Sequence, residues 1–192
     1  MLSSSRFLLG ISVVASTLGL VVLDQWTKAL AAANLAGKDA VHLLGGFVVV
    51  VYTSNRGAFL SLGSGLPPLL RTIILIILPI GALALFAWVF VRRDATKAFG
   101  SAAGKGGYAR ATEAAVAALV FSGGIGNLID RILYVRVRDF VYFMFWKIPT
   151  GIMNLADLYI LAALIVAVVA AAIRSPRARR PRDKSEPDST DI

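Results

Sequence analysis

Six ionisable residues stand out: Asp24, Lys28, Asp130, Arg131, Asp139 and Asp157, all within or beside long apolar segments. The chain has 192 residues, 57% hydrophobic and only 16% charged, and its apolar residues come in blocks. A charge at membrane depth costs roughly 2.5–3.5 kcal/mol on insertion scales at a helix centre, and less near an interface, so each needs a reason to be there. Two carboxylates brought together at a water-accessible, low-dielectric place cannot both ionise easily and tend to share one proton. One can then activate water as a general base while the other gives a proton to a scissile carbonyl or leaving amine. That chemistry asks for no metal, thiol or cofactor. The sequence holds no cysteine and a single histidine, His42. It therefore has no disulfide, no thiolate site and no thiol of its own to carry a lipid. It cannot build a histidine-rich zinc site, and one histidine argues against a Ser-His-Asp triad.

Each candidate also has a plainer reading. Asp24 and Lys28 are i,i+4 on one helix and can pair at the interface. Asn127, Asp130 and Arg131 share a face, and Gly123, Gly124 and Gly126 just before them let a neighbouring helix approach closely. That group reads as support for a site, with Asp130 and Arg131 paired to each other. Asp139 follows Arg138 and precedes the aromatic run Phe140-Val-Tyr-Phe-Met-Phe-Trp146, of interfacial character. Its plain reading is a loop carboxylate paired with Arg136 or Arg138. Asp157 lies about a turn into the last apolar segment, with Asn154 placed to cap the helix or orient the carboxylate. The positive end of the helix dipole favours its ionised form. No lysine or arginine accompanies it, so its partner must come from elsewhere in the fold. On residue pattern alone three functions stand: a peptidase, a small carrier relaying protons through Asp130 and Asp157, and a noncatalytic scaffold whose acids pair with Arg131 and Lys28. A carrier should spread its acids over depth and show an interrupted half-helix, a pattern not visible here.

The elements that must position these residues are predominantly helical. Apolar blocks at about Phe7–Ala33, Pro67–Val91, Glu113–Leu133 and Ile152–Ile173 match the length of about 20 residues that crosses a bilayer. The fold class expected is mainly α, an integral membrane protein of four transmembrane helices with a small extracytoplasmic β-sheet. The first block resembles a signal peptide, but its length and the early Asp24 and Lys28 favour an uncleaved helix. Phe47–Thr53 is β-branched and continuous and reads as a strand, so segment 34–66 is expected to be a β-rich insertion. The Arg92–Arg110 connection, rich in Gly, Ala and Lys, reads as a flexible loop. Residues 1–174 make one membrane domain, and 175–192, with Arg177, Arg179, Arg180 and Arg182, a basic disordered tail. The net charge of +9 sits in clusters beside apolar blocks, which suits topology and lipid headgroups and not nucleic acid. Four spans put both termini on one side, which the positive-inside rule makes cytoplasmic. The six ionisable residues then gather toward the outer face.

Five motifs, in order, resemble the lipoprotein signal peptidases (signal peptidase II), aspartic proteases of the bacterial inner membrane. Asp24-Gln-Trp-Thr-Lys28 is similar to that family's D-x-x-x-K, and Asn55-Arg-Gly57-Ala58 to its N-x-G-A. Gly124-Ile-Gly-Asn127-Leu-Ile-Asp130-Arg131 is similar to G-x-x-G-N-x-x-D-R, Val137-Arg-Asp139-Phe140 to V-x-D-F, and Asn154-Leu-Ala-Asp157 to N-x-A-D. The resemblance implies that Asp139 and Asp157 are the catalytic pair. By the same resemblance Asn55, Gly57, Asn127, Arg131 and Asn154 shape the site, with Asp24, Lys28 and Asp130 supporting it. It implies no cofactor, and as substrates prolipoproteins already carrying diacylglycerol on a cysteine, cut just before that cysteine. Membrane lipids are the surroundings, the cyclic peptide globomycin is a ligand, and a monomer is expected. Met153 stands where the family usually has an aromatic residue, Leu158 where smaller or polar ones are common, and Phe59 one position earlier than usual. These departures bear on pocket shape and substrate preference.

Overall fold

A computed structural model describes residues 4–57, 65–92 and 106–174. Four helices are long and apolar enough to cross a membrane, over Phe7–Leu35, Pro68–Arg92, Arg110–Tyr134 and Leu155–Ile173. They belong to α1 (Ser4–Leu35), α2 (Pro68–Arg92), α3 (Gly106–Tyr134) and α4 (Leu155–Arg174). The expected spans are thus present with ends shifted by a few residues. The Arg92–Arg110 loop is a correction: α3 already begins at Gly106, so the last part of that connection is helical. The rest of that connection, the 175–192 tail and Ala58–Ser61 lie outside the described residues.

The third helix sits among the other three because its small residues allow it. A Cβ on Gly123 would lie 2.5 Å from the Ala156 carbonyl oxygen and 2.6 Å from Ile160 Cγ1, so the missing side chain seats α4. A Cβ on Gly126 would lie 2.6 Å from Asp24 Oδ2, so this glycine leaves room for the carboxylate of α1. Gly124 instead faces the flexible Leu83 side chain of α2, with Phe86 and Phe121 edge to face nearby at 5.4 Å. Ala117, Ala118, Ala156 and Ala163 complete a core of small residues. Large ones such as Leu8, Val22, Leu78, Leu85 and Val168 point outward, as expected where lipid is as apolar as leucine. In α2, Pro79 lacks the amide that an α-helix needs and crowds the carbonyl four residues back. The turn Ile73–Ile77 is accordingly π-helical, with the Leu78 amide donating to the Ile73 carbonyl.

Outside the helices, four antiparallel strands form one sheet in the order β1 (Val41–Leu43), β2 (Val48–Asn55), β3 (Val137–Phe145) and β4 (Ile148–Pro149). The sheet is therefore not confined to 34–66: half of it comes from the segment between α3 and α4. The β-branched and aromatic composition of β3 carries that signal. In the β2–β3 register Thr53 faces Asp139 and Asn55 faces Val137, with an irregularity between Val50 and Thr53. Asp139 is thus a strand residue, not a loop carboxylate. Met153 exchanges backbone hydrogen bonds with Val141, at 2.8 and 3.0 Å, and accepts one from the Phe140 amide at 2.9 Å. This bridge brings the start of α4 against β3.

Glycine substitutions test the close approaches. Gly123→Ala and Gly126→Ala should each lower stability by about 1–3 kcal/mol through overpacking, while Gly124→Ala costs less because Leu83 can turn aside. Thermal melting of the three variants in detergent reads the order; equal melting of all three would contradict it.

Candidate active site

The site begins at the first turn of α4, where backbone amides lack helical partners. Asn154 is the residue before the helix, and its Oδ1 accepts the Asp157 amide at 3.1 Å. In return Asp157 Oδ2 accepts the Asn154 amide at 3.3 Å. This reciprocal pair is a capping box, with aspartate in the place more often held by glutamate. The Ala156 amide is taken by Asp24 Oδ1 of α1 at 2.9 Å. The remaining atom of the Asn154 amide then does something else: Nδ2 donates to Asp139 Oδ1 at 2.6 Å. One fully buried asparagine thereby touches both aspartates, which lie 18 positions apart in the chain.

Beneath this turn lies a buried ionic cluster. Lys28 and Asp24 pair at 2.8 Å with both side chains at 0% exposure, so the i,i+4 expectation holds, but deep in the bundle and not at a wet interface. Lys28 Nζ also donates to Asn127 Oδ1 at 3.1 Å and approaches the Gly126 carbonyl at 3.4 Å and Asp130 at 3.7 Å. With its oxygen committed to a cation, Asn127 must turn its Nδ2 the other way. That nitrogen donates to Asp157 Oδ1 at 2.8 Å, which is the partner Asp157 needed from another helix.

The expected Asp130–Arg131 pair does not form. Adjacent residues on a helix point about 100° apart, and Asp130 instead pairs with Arg138 at 2.7 Å. Arg138 does not neutralise Asp139 either, because successive side chains of β3 leave on opposite faces and Arg138 turns to Asp130; Arg136 is exposed. Arg131 lies within electrostatic reach of Asp157, Asp139 and Asp130 without an ion pair to any of them among the described residues, and its Nη2 approaches the Gly57 carbonyl at 3.4 Å. Its Nε is buried with no hydrogen-bond acceptor among the described residues. Asn55 Oδ1 accepts the Gly57 amide at 2.9 Å, a local turn, and the Asn55 side chain also hydrogen-bonds Asp139.

The six ionisable residues, with Asn55, Gly57, Asn127 and Asn154, are therefore drawn into one network, with Asp139 at 3% exposure. One further member, Gln25, had not been singled out, and another, Arg138, had been given a different partner. Gln25 donates to Asp24, Asp130 and the Gly126 carbonyl at 3.0–3.2 Å, and Arg138 holds Asp130. Nothing in spacing marked Gln25, whereas a strand reading of 137–145 would have turned Arg138 away from Asp139. Burial, and then the charge of Asp157, push the Asp139 carboxyl up to about 6, against hydrogen bonds from Asn154 and Asn55. A carboxyl held near neutrality beside a second carboxylate can carry a proton in and out of a reaction at working pH.

Comparison with known proteins identifies the family. A family model described as signal peptidase (SPase) II matches residues 16–173. The lipoprotein signal peptidase of Treponema pallidum is 32% identical over 157 residues, covering 78% of this chain and 76% of that protein. That of Desulforapulum autotrophicum is 28% identical over 152 residues, covering 78% and 84%. A bacterial membrane enzyme solved at 2.3 Å resolution shares the fold with a TM-score of 0.68 at 23% identity, over 91% of this chain and 94% of that one. A second, solved at 1.9 Å, has a TM-score of 0.63 at 25% identity, over 84% and 92%. The proton carrier is disfavoured by the same matches. The chain belongs to the signal peptidase II family and is an integral membrane protease.

Proposed function

We propose that Asp139 and Asp157 are the catalytic pair of an aspartic endopeptidase that removes signal peptides from diacylglyceryl-prolipoproteins, cutting just before the lipid-modified cysteine. The observation that carries this reading is the Asn154 side chain, which hydrogen-bonds both Asp139 and the Asp157 amide. A water between two such carboxylates loses a proton to the ionised one as it attacks the scissile carbonyl. The protonated partner gives its proton to that carbonyl oxygen, and later a proton passes to the leaving amine. The Arg131 guanidinium, whose Nη2 approaches the Gly57 carbonyl, would hold the segment at Gly57 beside the pair. Asn55 and Asn127 keep the two carboxylates oriented, while Lys28, Asp24 and Asp130 hold their supports.

The active site faces the extracytoplasmic side in this reading, and both termini the cytoplasm of a bacterial inner membrane. Support comes from Arg92 and Arg110, at the ends of α2 and α3 away from the acids, and from the basic residues beyond position 174. The substrate's signal helix and acyl chains would stay in lipid while the scissile bond reaches the sheet. Globomycin would compete for the same place, with the enzyme acting as a monomer without a cofactor. Met153, whose backbone bridges to β3, and Leu158 would shape substrate preference.

Asp139→Asn and Asp157→Asn should each reduce cleavage of a lipidated prolipoprotein by about 10²- to 10⁴-fold, an order set by loss of acid–base catalysis, with helical content retained and melting not lowered. An unlipidated control should be left uncut, and wild-type cleavage should persist in a chelator. Full turnover by either variant would remove that residue from the pair.

A pH dependence of stability follows from the raised Asp139. Its folded form binds a proton more tightly than an ordinary aspartate at 3.8, so stability is greatest below that value and declines as pH rises toward 6. Asp139→Asn escapes this decline. The variant should gain up to about 3 kcal/mol over wild type at pH 8, and the gain should shrink as pH falls toward 4. Melting curves at several pH values measure it, and a difference independent of pH would refute the assignment of a raised carboxyl.

A further inference from the structure

Arg138 precedes Asp139 on β3, and side chains of successive strand residues leave on opposite faces. While Asp139 turns to Asn154, Arg138 turns to Gln25 of α1 and Asp130 near the end of α3. Its backbone amide donates to Asp130 Oδ2 at 2.9 Å, its Nε to the same oxygen at 3.2 Å, and its Nη2 to Asp130 Oδ1 at 2.7 Å. The same Nη2 donates to Gln25 Oε1 at 2.9 Å, and the guanidinium lies 4.6 Å from the Tyr134 ring centroid. The fork is thus bidentate on a carboxylate that is itself fully buried. Bidentate geometry fixes direction as well as distance, which a lysine cannot do.

The clasp closes the tight connection from α3 to β3. Between its two ends lies Val135, at φ 59°. A β-branched residue in the left-handed region is strained by roughly 1–2 kcal/mol, and such a conformation persists only where surrounding contacts over-determine it. The Val135 amide bonds to the Arg131 carbonyl at 3.1 Å, and Arg138 anchors the chain three residues later. Asp139, the next residue, has its position set by this anchor on one side and by the Asn154 bond on the other.

We propose that Arg138 is a positioning residue for the peptidase reaction: by clamping the first turn of chain after α3 onto Asp130 and Gln25, it presents Asp139 to Asn154 and Asp157. The proposal rests on the reading of Asp139 and Asp157 as the catalytic pair. Arg138 touches no reacting atom in it. Its loss leaves the membrane-embedded substrate bound as before and lets the carboxylate drift, and a misplacement of about 1 Å can lower a rate on the order of 10²-fold.

The test uses the full chain in detergent with a lipidated prolipoprotein, at a temperature where melting curves show each variant folded. Arg138→Ala should lower kcat about 10- to 100-fold with KM within about threefold. Arg138→Lys, which keeps the cation but not the fork, should fall between that variant and wild type. Loss of fold alone would lower the active fraction in step with melting, without a lower kcat per folded molecule. A folded Arg138→Ala with kcat within twofold of wild type would overturn the proposal, as would a change confined to KM. If Arg138→Ala does not fold, Arg138→Lys decides by the same criteria. Asp139→Asn and Asp157→Asn run alongside: full turnover by them sinks the underlying pair, whereas their silence with normal Arg138 variants sinks only the positioning role.

Discussion

A lysine ammonium with no exposure to solvent, in the middle of a membrane bundle, sets the terms for everything around it. Removing Lys28 and Asp24 from water costs several kcal/mol per ion, and their attraction offsets this only with good geometry and all remaining donors satisfied. Lys28 finds Asp24, Asn127, a backbone carbonyl of α3 and the more distant Asp130. Asp24 adds a bond to α4 through the Ala156 amide. Three helices are therefore tied by one cation, in surroundings where the hydrophobic effect gives helices little reason to associate.

From that cation a directional relay runs to the surface of the bundle. Lys28 claims the oxygen of Asn127, so the nitrogen must point to Asp157. Asp157 and Asn154 cap one another, so the remaining nitrogen of Asn154 must point to Asp139. Each amide has one acceptor and one donor end, and assigning either end assigns the other. The raised Asp139 carboxyl is the far end of this chain: it receives hydrogen bonds from Asn154 and Asn55, yet burial and Asp157 outweigh them. Such a group is costly for stability in its charged form.

Glycine and alanine on α3 are the packing counterpart of this polar network. Gly123 admits the carbonyl of Ala156 and Gly126 admits the carboxylate of Asp24, so the close approaches that join the helices are also those that assemble the site. The sheet has a matching role outside the bundle. Met153 is bonded to β3 on one side and leads directly into Asn154 on the other, which is why a strand and a helix start can share two carboxylates.

The sequence by itself determined the four spans, a strand over 47–53 and nearly all the residues that the structure gathers into one network. Apolar blocks have only one stable fate in lipid, and ionisable residues beside them are too costly to be incidental. The motifs in order also sufficed for the family. Tertiary structure alone decided the partners: that Asp130 takes Arg138 and not Arg131, that Gln25 joins the cluster, and that β3 completes the sheet. The reason is directional. Sequence neighbours on a helix diverge by about 100° and on a strand by half a turn, so which charge meets which depends on how elements from distant parts of the chain are laid together.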